Sequence, residues 1–211
     1  KDNRTEASAH RGPGLERGLD ILGRLKREFG FPVTTDVHRE TDMPLVAKAV
    51  DLIQIPALLC RQTSLLEAAA RSGVPLNIKK GQFASGRTMA GAVEKIRRAG
   101  GPDVQVMVTE RGSCFGRDQI VCDMTELQTL QYLGCPVVMD ASHSSGSRDQ
   151  IPLLARCGVA AGADALFLEC HPDPDAAPCD SQRMVSLDDL EIMLPGLVRL
   201  GRLARELEAE I

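Results

Sequence analysis

The chain has no tryptophan, one tyrosine and five phenylalanines among its 211 residues, so its core must be aliphatic. No apolar run is long enough to span a bilayer, which excludes a helical membrane anchor within this stretch. Positive charge is not in excess. Against 29 Asp and Glu there are 25 Lys and Arg, a formal net charge of −4, which argues against nucleic acid as a partner. The seven cysteines are an odd number and no Cys-x-x-Cys pair occurs. The expectation is therefore buried, reduced thiols in a cytoplasmic protein rather than a disulfide framework. No Gly-rich nucleotide loop follows the first apolar strand, and no linker or low-complexity segment divides the chain. One globular domain over 1–211 is expected.

What is present is a strict alternation. Helical spacing runs over Leu15–Phe29, Met43–Val50, Thr63–Ser72, Arg87–Ala99, Met124–Leu133, Arg148–Ala161 and Leu187–Glu210, the last with a break near Pro195. Between them, short β-rich runs cover Pro32–Val37, Asp51–Ile55, Leu76–Lys79, Val104–Thr109, Pro136–Asp140 and Ala165–Glu169. Alternating β and α segments predict a parallel sheet. Strand after strand ends in residues fit for chemistry: the Thr35–His38 run, then Arg61, Lys79, Lys80, Arg111, Asp140, His143 and Glu169. Polar groups at the carboxyl ends of successive strands describe a (β/α)8 TIM barrel enzyme. Most of these groups are cationic in an acidic chain, which points to a basic pocket for a substrate with several negative charges. Roughly six βα units are visible where a closed barrel needs eight. Six parallel strands could also form an open doubly wound sheet, for which the nucleotide loop is missing. The chain opens on Lys1-Asp2-Asn3-Arg4, which reads as the middle of a loop. About two βα units, on the order of 60 residues, are expected to precede it.

Eight segments occur in order: KDNRT from Lys1, RGPG from Arg11, TDVH from Thr35, IQIPALLCRQT from Ile53, NIKKGQF from Asn77, TERGSCFG from Thr109, DASH from Asp140 and LECHPDPDAAPCD from Leu168. Together they closely resemble the 3-deoxy-D-manno-octulosonate 8-phosphate synthase family, a branch of the phosphoenolpyruvate-dependent sugar-acid synthases. The resemblance runs from Lys1 to about Asp180 and more loosely into the last helix. It implies condensation of phosphoenolpyruvate with arabinose 5-phosphate and water, for lipopolysaccharide precursor synthesis. Lys1, Lys79 and Arg111 would hold the phosphate and carboxylate of phosphoenolpyruvate, with Gln82 close by. Asn3, Arg4 and Thr5 would hold the sugar phosphate and its hydroxyls. Asp36 and His143 would contact the sugar or the reacting water, and His143 and Asp180 would handle water and protons. Arg61 would reach the sugar-phosphate site of a neighbouring subunit in a homo-oligomer, a tetramer. An Arg binds phosphate through a planar fork and a Lys as a point charge. Lys80 should point opposite to Lys79 along a strand, and structural and functional roles are equally open to it.

By the same resemblance His143, Glu169 and Asp180 are three of the four ligands of the family's metal-dependent branch, the fourth being a Cys on a first strand not present here. Imidazole nitrogen and carboxylate oxygen suit a divalent transition metal. The metal-independent branch has Asn at that place and keeps the other three, so metal dependence stays open. His10 is expected at the surface or in packing, and His38 and His171 behind the site rather than as ligands. The chain also departs from the family pattern. Asp2 stands for the usual Ala, Thr5-Glu6 for Ser-Ser, Arg39 for an acidic residue and Arg117 for Tyr. Glu6 brings negative charge toward a proposed phosphate site unless it points away. After His143 the family's long Gly-rich loop is reduced to Ser144-Ser145-Gly146-Ser147. Either the loop is short or mobile lid residues are missing from the chain, and omission is expected because lids are often disordered. Two other functions stay open. One is the related 3-deoxy-D-arabino-heptulosonate 7-phosphate synthase or another sugar-acid synthase. The other is a non-catalytic phosphosugar-binding relative, against which Lys79, Arg111, His143, Glu169 and Asp180 together argue.

Overall fold

The computed structural model describes residues 2, 4, 6–116 and 119–210. In chain order its elements are α1 (Leu15–Phe29), β1 (Thr34–Asp36), α2 (Met43–Val46), β2 (Leu52–Ile55), α3 (Thr63–Ala70), β3 (Leu76–Lys79), α4 (Gly86–Gly100) and β4 (Val106–Glu110). They continue with β5 (Ser113–Phe115), β6 (Gln119–Val121), α5 (Thr125–Gln131), β7 (Val137–Asp140), α6 (Ala141–Ser144), α7 (Ile151–Ala160), β8 (Ala165–Phe167) and α8 (Leu187–Glu208). The chain divides into two compact units, 1–81 with 88–107, and 82–87 with 108–211.

In the first unit β1, β2 and β3 lie side by side in chain order, all parallel. The register sets Asp36 opposite Gln54, and Gln54 opposite Asn77. Ile53, Ile55, Leu76 and Ile78 alternate with these polar positions and are fully buried, as are Leu65 and Leu66 of α3 and Met89 and Ile96 of α4. Helix α1 keeps the expected bounds. It stops at Gly30, whose positive φ of 71° lets its N–H close on the Lys26 carbonyl, a conformation that glycine adopts without steric cost.

In the second unit β4, β7 and β8 repeat the pattern, parallel and in chain order. A doubly wound sheet reverses its strand order at a switch point. Neither unit contains such a reversal, and six parallel strands in order are the repeat of a partial (β/α)8 barrel. The core here joins Ala141, Ile151, Ala155, Val159, Val185 and Leu197, with Leu190, Met193 and Leu200 packed against it. That packing explains a correction. The expected break at Pro195 does not occur, and α8 runs through the proline. Proline removes one backbone hydrogen bond, and the apolar face buried on either side of it outweighs that loss. Strand β8 also ends at Phe167 rather than at Glu169, because its partner β7 ends at Asp140, opposite Phe167. The antiparallel pair β5–β6 was not expected from sequence, being too short for its period to register.

The core is aliphatic as expected. Phe29, Phe31, Phe83, Phe115 and Tyr132 are exposed. The cysteines correct the reading in part. None is in a disulfide, but only Cys60 is buried, and Cys114 and Cys170 are exposed. Among the described residues no helix is long and apolar enough to cross a membrane.

One packing contact gives a stability test. A Cβ on Gly158 of α7 would collide with Cγ of Met139 and come within 2.8 Å of its Cβ, and Met139 is itself fully buried on β7. Gly158→Ala should therefore lower unfolding free energy by about 1–3 kcal/mol in a denaturant titration, the usual cost of overpacking. Wild-type stability would show that α7 does not seat on β7 as described.

Candidate active site

In the second unit the chemistry gathers where β7 ends. Asp140 is fully buried and caps the short turn of α6. Its Oδ1 accepts from the His143 backbone N–H at 2.9 Å, and its Oδ2 lies 2.8 Å from His143 Nδ1. A carboxylate at Nδ1 places the ring proton there and directs the lone pair of Nε2 outward. The ring leans on Phe167, with centroids 5.8 Å apart. Glu169 follows β8, and its backbone N–H donates to the buried Ser142 hydroxyl at 2.9 Å. This brings Glu169 Oε1 to 3.5 Å from His143 Nε2. Asp180 completes the group from the loop beyond. It is the one non-glycine residue with positive φ among those described, at 52°. Asp reaches this region more readily than most residues, but at a cost that clusters at functional sites.

One ligand atom each from His143, Glu169 and Asp180 lie within 4.8 Å of one another. Ligands bound at about 2.0–2.2 Å to a single ion sit about 4 Å apart or less, so small side-chain adjustments would let the set hold a cation. Glu169 Oε2 is buried with no hydrogen-bond partner. A desolvated carboxylate oxygen left in that way is costly, and a cation or a donor answers it. The three residues therefore fit a divalent ion, with positions left open as in catalytic rather than structural sites.

Arg111 directly follows β4 and is 7% exposed. Burial depresses its pKa, opposed by the charge of Asp140 and reinforced by that of Arg183. Its Nε is buried without a hydrogen-bond partner, and so is Oε1 of Gln82. A guanidinium held nearly dry with an unanswered N–H can receive an anion. Gly112, at φ 82°, makes the turn possible, and its N–H donates to Glu110 Oε1 at 2.7 Å. A Cβ there would strike the side chain of Ile120.

In the first unit a polar row crosses the sheet. Asn77 Nδ2 donates to Gln54 Oε1 at 3.0 Å, and Gln54 Nε2 donates to Asp36 Oδ1 at 2.6 Å. Asp36 thus stands at the end of β1 with one oxygen already engaged. Lys79, two residues beyond Asn77, shares its face and is 6% exposed. Lys80 is fully buried, which rules out a solvated surface lysine. Burial pushes the neighbouring Cys60 thiol up, against the pull of the Gly81 backbone and the charges of Arg61 and Lys80. Arg61 is exposed and lies beyond the 3-10 turn Ala57–Leu59, not at the end of β2 as the strand-end reading had it. Arg4 is half-buried, and its Nε donates to the His10 carbonyl at 3.0 Å. Glu6 and His10 are exposed. His38 is half-buried, and burial lowers its pKa against the opposing charge of Asp36. Lys1, Asn3, Thr5 and Arg117 lie outside the described residues.

Sequence reasoning missed two features of this unit. Gln54 and Asn77 order Asp36, and the available signal was a lone amide within each of two strands, between apolar neighbours. Asp2 pairs with Arg39 at 2.5 Å and with Arg11. Two departures from the family pattern, Asp2 and Arg39, therefore meet in one ion pair. First Arg39 and then Arg11 hold the Asp2 carboxyl below the usual range. Asp2, Arg11, Asp36, His38 and Arg39 help to line a cavity of about 620 Å³ beside α1.

Comparison with known proteins places this geometry. The family model described as the DAHP synthetase I family matches residues 1–204. A relative from Desulfotalea psychrophila is 45% identical over 217 residues, which cover 98% of this chain and 77% of the relative. One from Nitratidesulfovibrio vulgaris is 47% identical, over 96% of this chain and 78% of the relative. One from a Synechococcus species is 46% identical, over 98% of this chain and 76% of the relative. All three carry the name 2-dehydro-3-deoxyphosphooctonate aldolase.

Proposed function

The chain belongs to the DAHP synthetase I family, and from that premise we propose that it condenses phosphoenolpyruvate with arabinose 5-phosphate and water. The products are 3-deoxy-D-manno-octulosonate 8-phosphate, the precursor of the Kdo sugar of lipopolysaccharide, and inorganic phosphate. The observation that carries this reading is the 45% identity, over 98% of the chain, to a relative named 2-dehydro-3-deoxyphosphooctonate aldolase.

The reaction joins the methylene carbon of phosphoenolpyruvate to the aldehyde carbon of the sugar. Water adds its oxygen to carbon 2, and the bond from carbon 2 to the phosphate oxygen then breaks. Negative charge develops on the aldehyde oxygen, which takes a proton and stays in the product as a hydroxyl, and phosphate leaves carbon 2 with the charge of its own oxygens, so fixed cations and directed donors do most of the work. In the second unit Arg111 offers its spare N–H to the phosphate or carboxylate, and Gln82 offers a polar contact. The Nε2 of His143, aimed by Asp140, and the carboxylate of Asp180 take and return the protons of the water. In the first unit Lys79 is a desolvated point charge for an anionic oxygen, and Asp36, oriented by Gln54, accepts from a sugar hydroxyl or from water. Lys1, Asn3, Arg4 and Thr5 hold the substrates' anionic ends. A divalent ion bound at His143, Glu169 and Asp180 would supply a Lewis acid for water or an oxyanion. The exposed Arg61 serves a neighbouring subunit's sugar-phosphate site in a cytoplasmic homotetramer.

The test is selectivity. Phosphate release from phosphoenolpyruvate should require arabinose 5-phosphate. Equal or faster turnover with erythrose 4-phosphate would transfer the assignment to the seven-carbon synthase. No turnover with either sugar would leave a phosphosugar-binding protein.

A further inference from the structure

We propose that Arg148 is the positioning residue for Asp180, tying the segment that carries this carboxylate to the turn that follows the His143 helix. The inference rests on the reading that Asp180 acts in the reaction. Arg148 opens the 3-10 turn Arg148–Gln150 just ahead of α7. Two hydrogen bonds hold the residues between α6 and that turn. The buried Ser145 hydroxyl donates to the Ser142 carbonyl at 2.7 Å, and the Gly146 N–H donates to Gln150 Oε1 at 2.9 Å.

The target needs fixing. From His171 to Arg183 the chain has no strand or α-helix, only the 3-10 turns Pro174–Ala176 and Ser181–Arg183. Asp180 holds a positive φ within it, and its carbonyl accepts from the Arg183 N–H at 2.8 Å, which closes the turn locally. Beyond the turn, Val185 is held by backbone bonds with Glu169 and His171. Arg148 Nη2 adds a side-chain tie to the turn itself, donating to the Ser181 carbonyl at 2.8 Å and to Asp175 Oδ1 at 2.7 Å. The two bonds are unequal. Asp175 is 85% exposed, so that ion pair is screened and weak. The Ser181 carbonyl is the partly buried acceptor, one residue from Asp180, and a bond from a charged donor to it is the stronger tie. Arg148 touches no proposed reacting atom and acts through Asp180.

The experiment uses the full chain with Arg148→Ala, Arg148→Lys and Asp175→Asn. Amide hydrogen exchange is read segment by segment, beside kcat and KM for phosphoenolpyruvate and arabinose 5-phosphate. In Arg148→Ala, exchange across 173–183 should rise about tenfold or more while α7 and α8 keep their protection. Its kcat should fall about tenfold or more, with both KM values within about twofold of wild type. Arg148→Lys, which retains one donor to the carbonyl, should recover part of both effects, and Asp175→Asn should stay near wild type. Three results would overturn the proposal: unchanged exchange in 173–183, exchange that rises equally through α7 and α8, or local loosening with kcat intact. If the wild-type chain itself fails to turn over these substrates, the functional assignment falls, and the exchange pattern alone still decides whether Arg148 is the tether.

Discussion

Replacing His143 by Ala is expected to lower kcat by about 10²–10⁴-fold, the usual contribution of a positioned proton-transfer group. The KM for phosphoenolpyruvate should move by less than about threefold, because an interaction made only in the transition state does not appear in substrate binding. The expectation follows from the way the ring is held. Asp140 accepts from both the backbone N–H and Nδ1 of His143, so Nε2 presents a lone pair toward Glu169 and Asp180. Asp140→Asn should cost less, about 10–100-fold, because the side chain that orients the ring is altered but the ring remains. The two losses should not add, since both act through one imidazole. Stripping divalent ions from the wild-type protein then separates two uses of the same three residues. Loss of activity with recovery on a divalent ion makes them ligands, and retained activity makes them direct partners of substrate and water. Wild-type kcat in His143→Ala would remove this cluster from the mechanism.

How much of this was legible in the sequence depends on the range of the interaction concerned. Helix α1 was legible to the residue because its apolar spacing and the glycine that stops it are both local. The strand ends at Lys79 and Asp140 were legible because a β run ending in a polar residue is also local, whereas the first strand, expected to reach Val37, stops at Asp36. Pro195 was misread for the opposite reason. Its local preference is to break a helix, and the contacts of α8 with Val159 and its neighbours override it from outside the segment. Glu169 was assigned to a strand because its neighbours are apolar, whereas the strand's length was set by where β7 runs out of partners. The grouping of His143, Glu169 and Asp180 came only from the resemblance, since no spacing rule brings residues 143, 169 and 180 together. The row Asp36–Gln54–Asn77 and the Asp2–Arg39 pair are products of register and of chain return, which single-sequence periodicity does not encode.

Arg111→Met is expected to separate binding from stability. Arg111 is almost wholly buried, its Nε has no partner, and burial is the largest influence that lowers its pKa. The folded protein therefore holds a charge where the surroundings, without an anion, disfavour it, even though Asp140 offsets part of that cost. Removing the guanidinium and keeping an apolar stem should leave the melting temperature unchanged or raise it, the trade-off expected where a site is built for a ligand rather than for the fold. The KM for phosphoenolpyruvate should rise about 10–150-fold, the equivalent of one lost charge-assisted hydrogen bond at about 1.5–3 kcal/mol. Arg111→Lys restores charge but not the planar fork, so it should recover only part of that affinity. Inorganic phosphate gives an independent reading, because a ligand that binds only the folded state raises the melting temperature. Phosphate should stabilise the wild-type protein and leave Arg111→Met unmoved. A variant that melts well below wild type while keeping its KM would make Arg111 a structural ion-pair partner of Asp140 instead of an anion receptor.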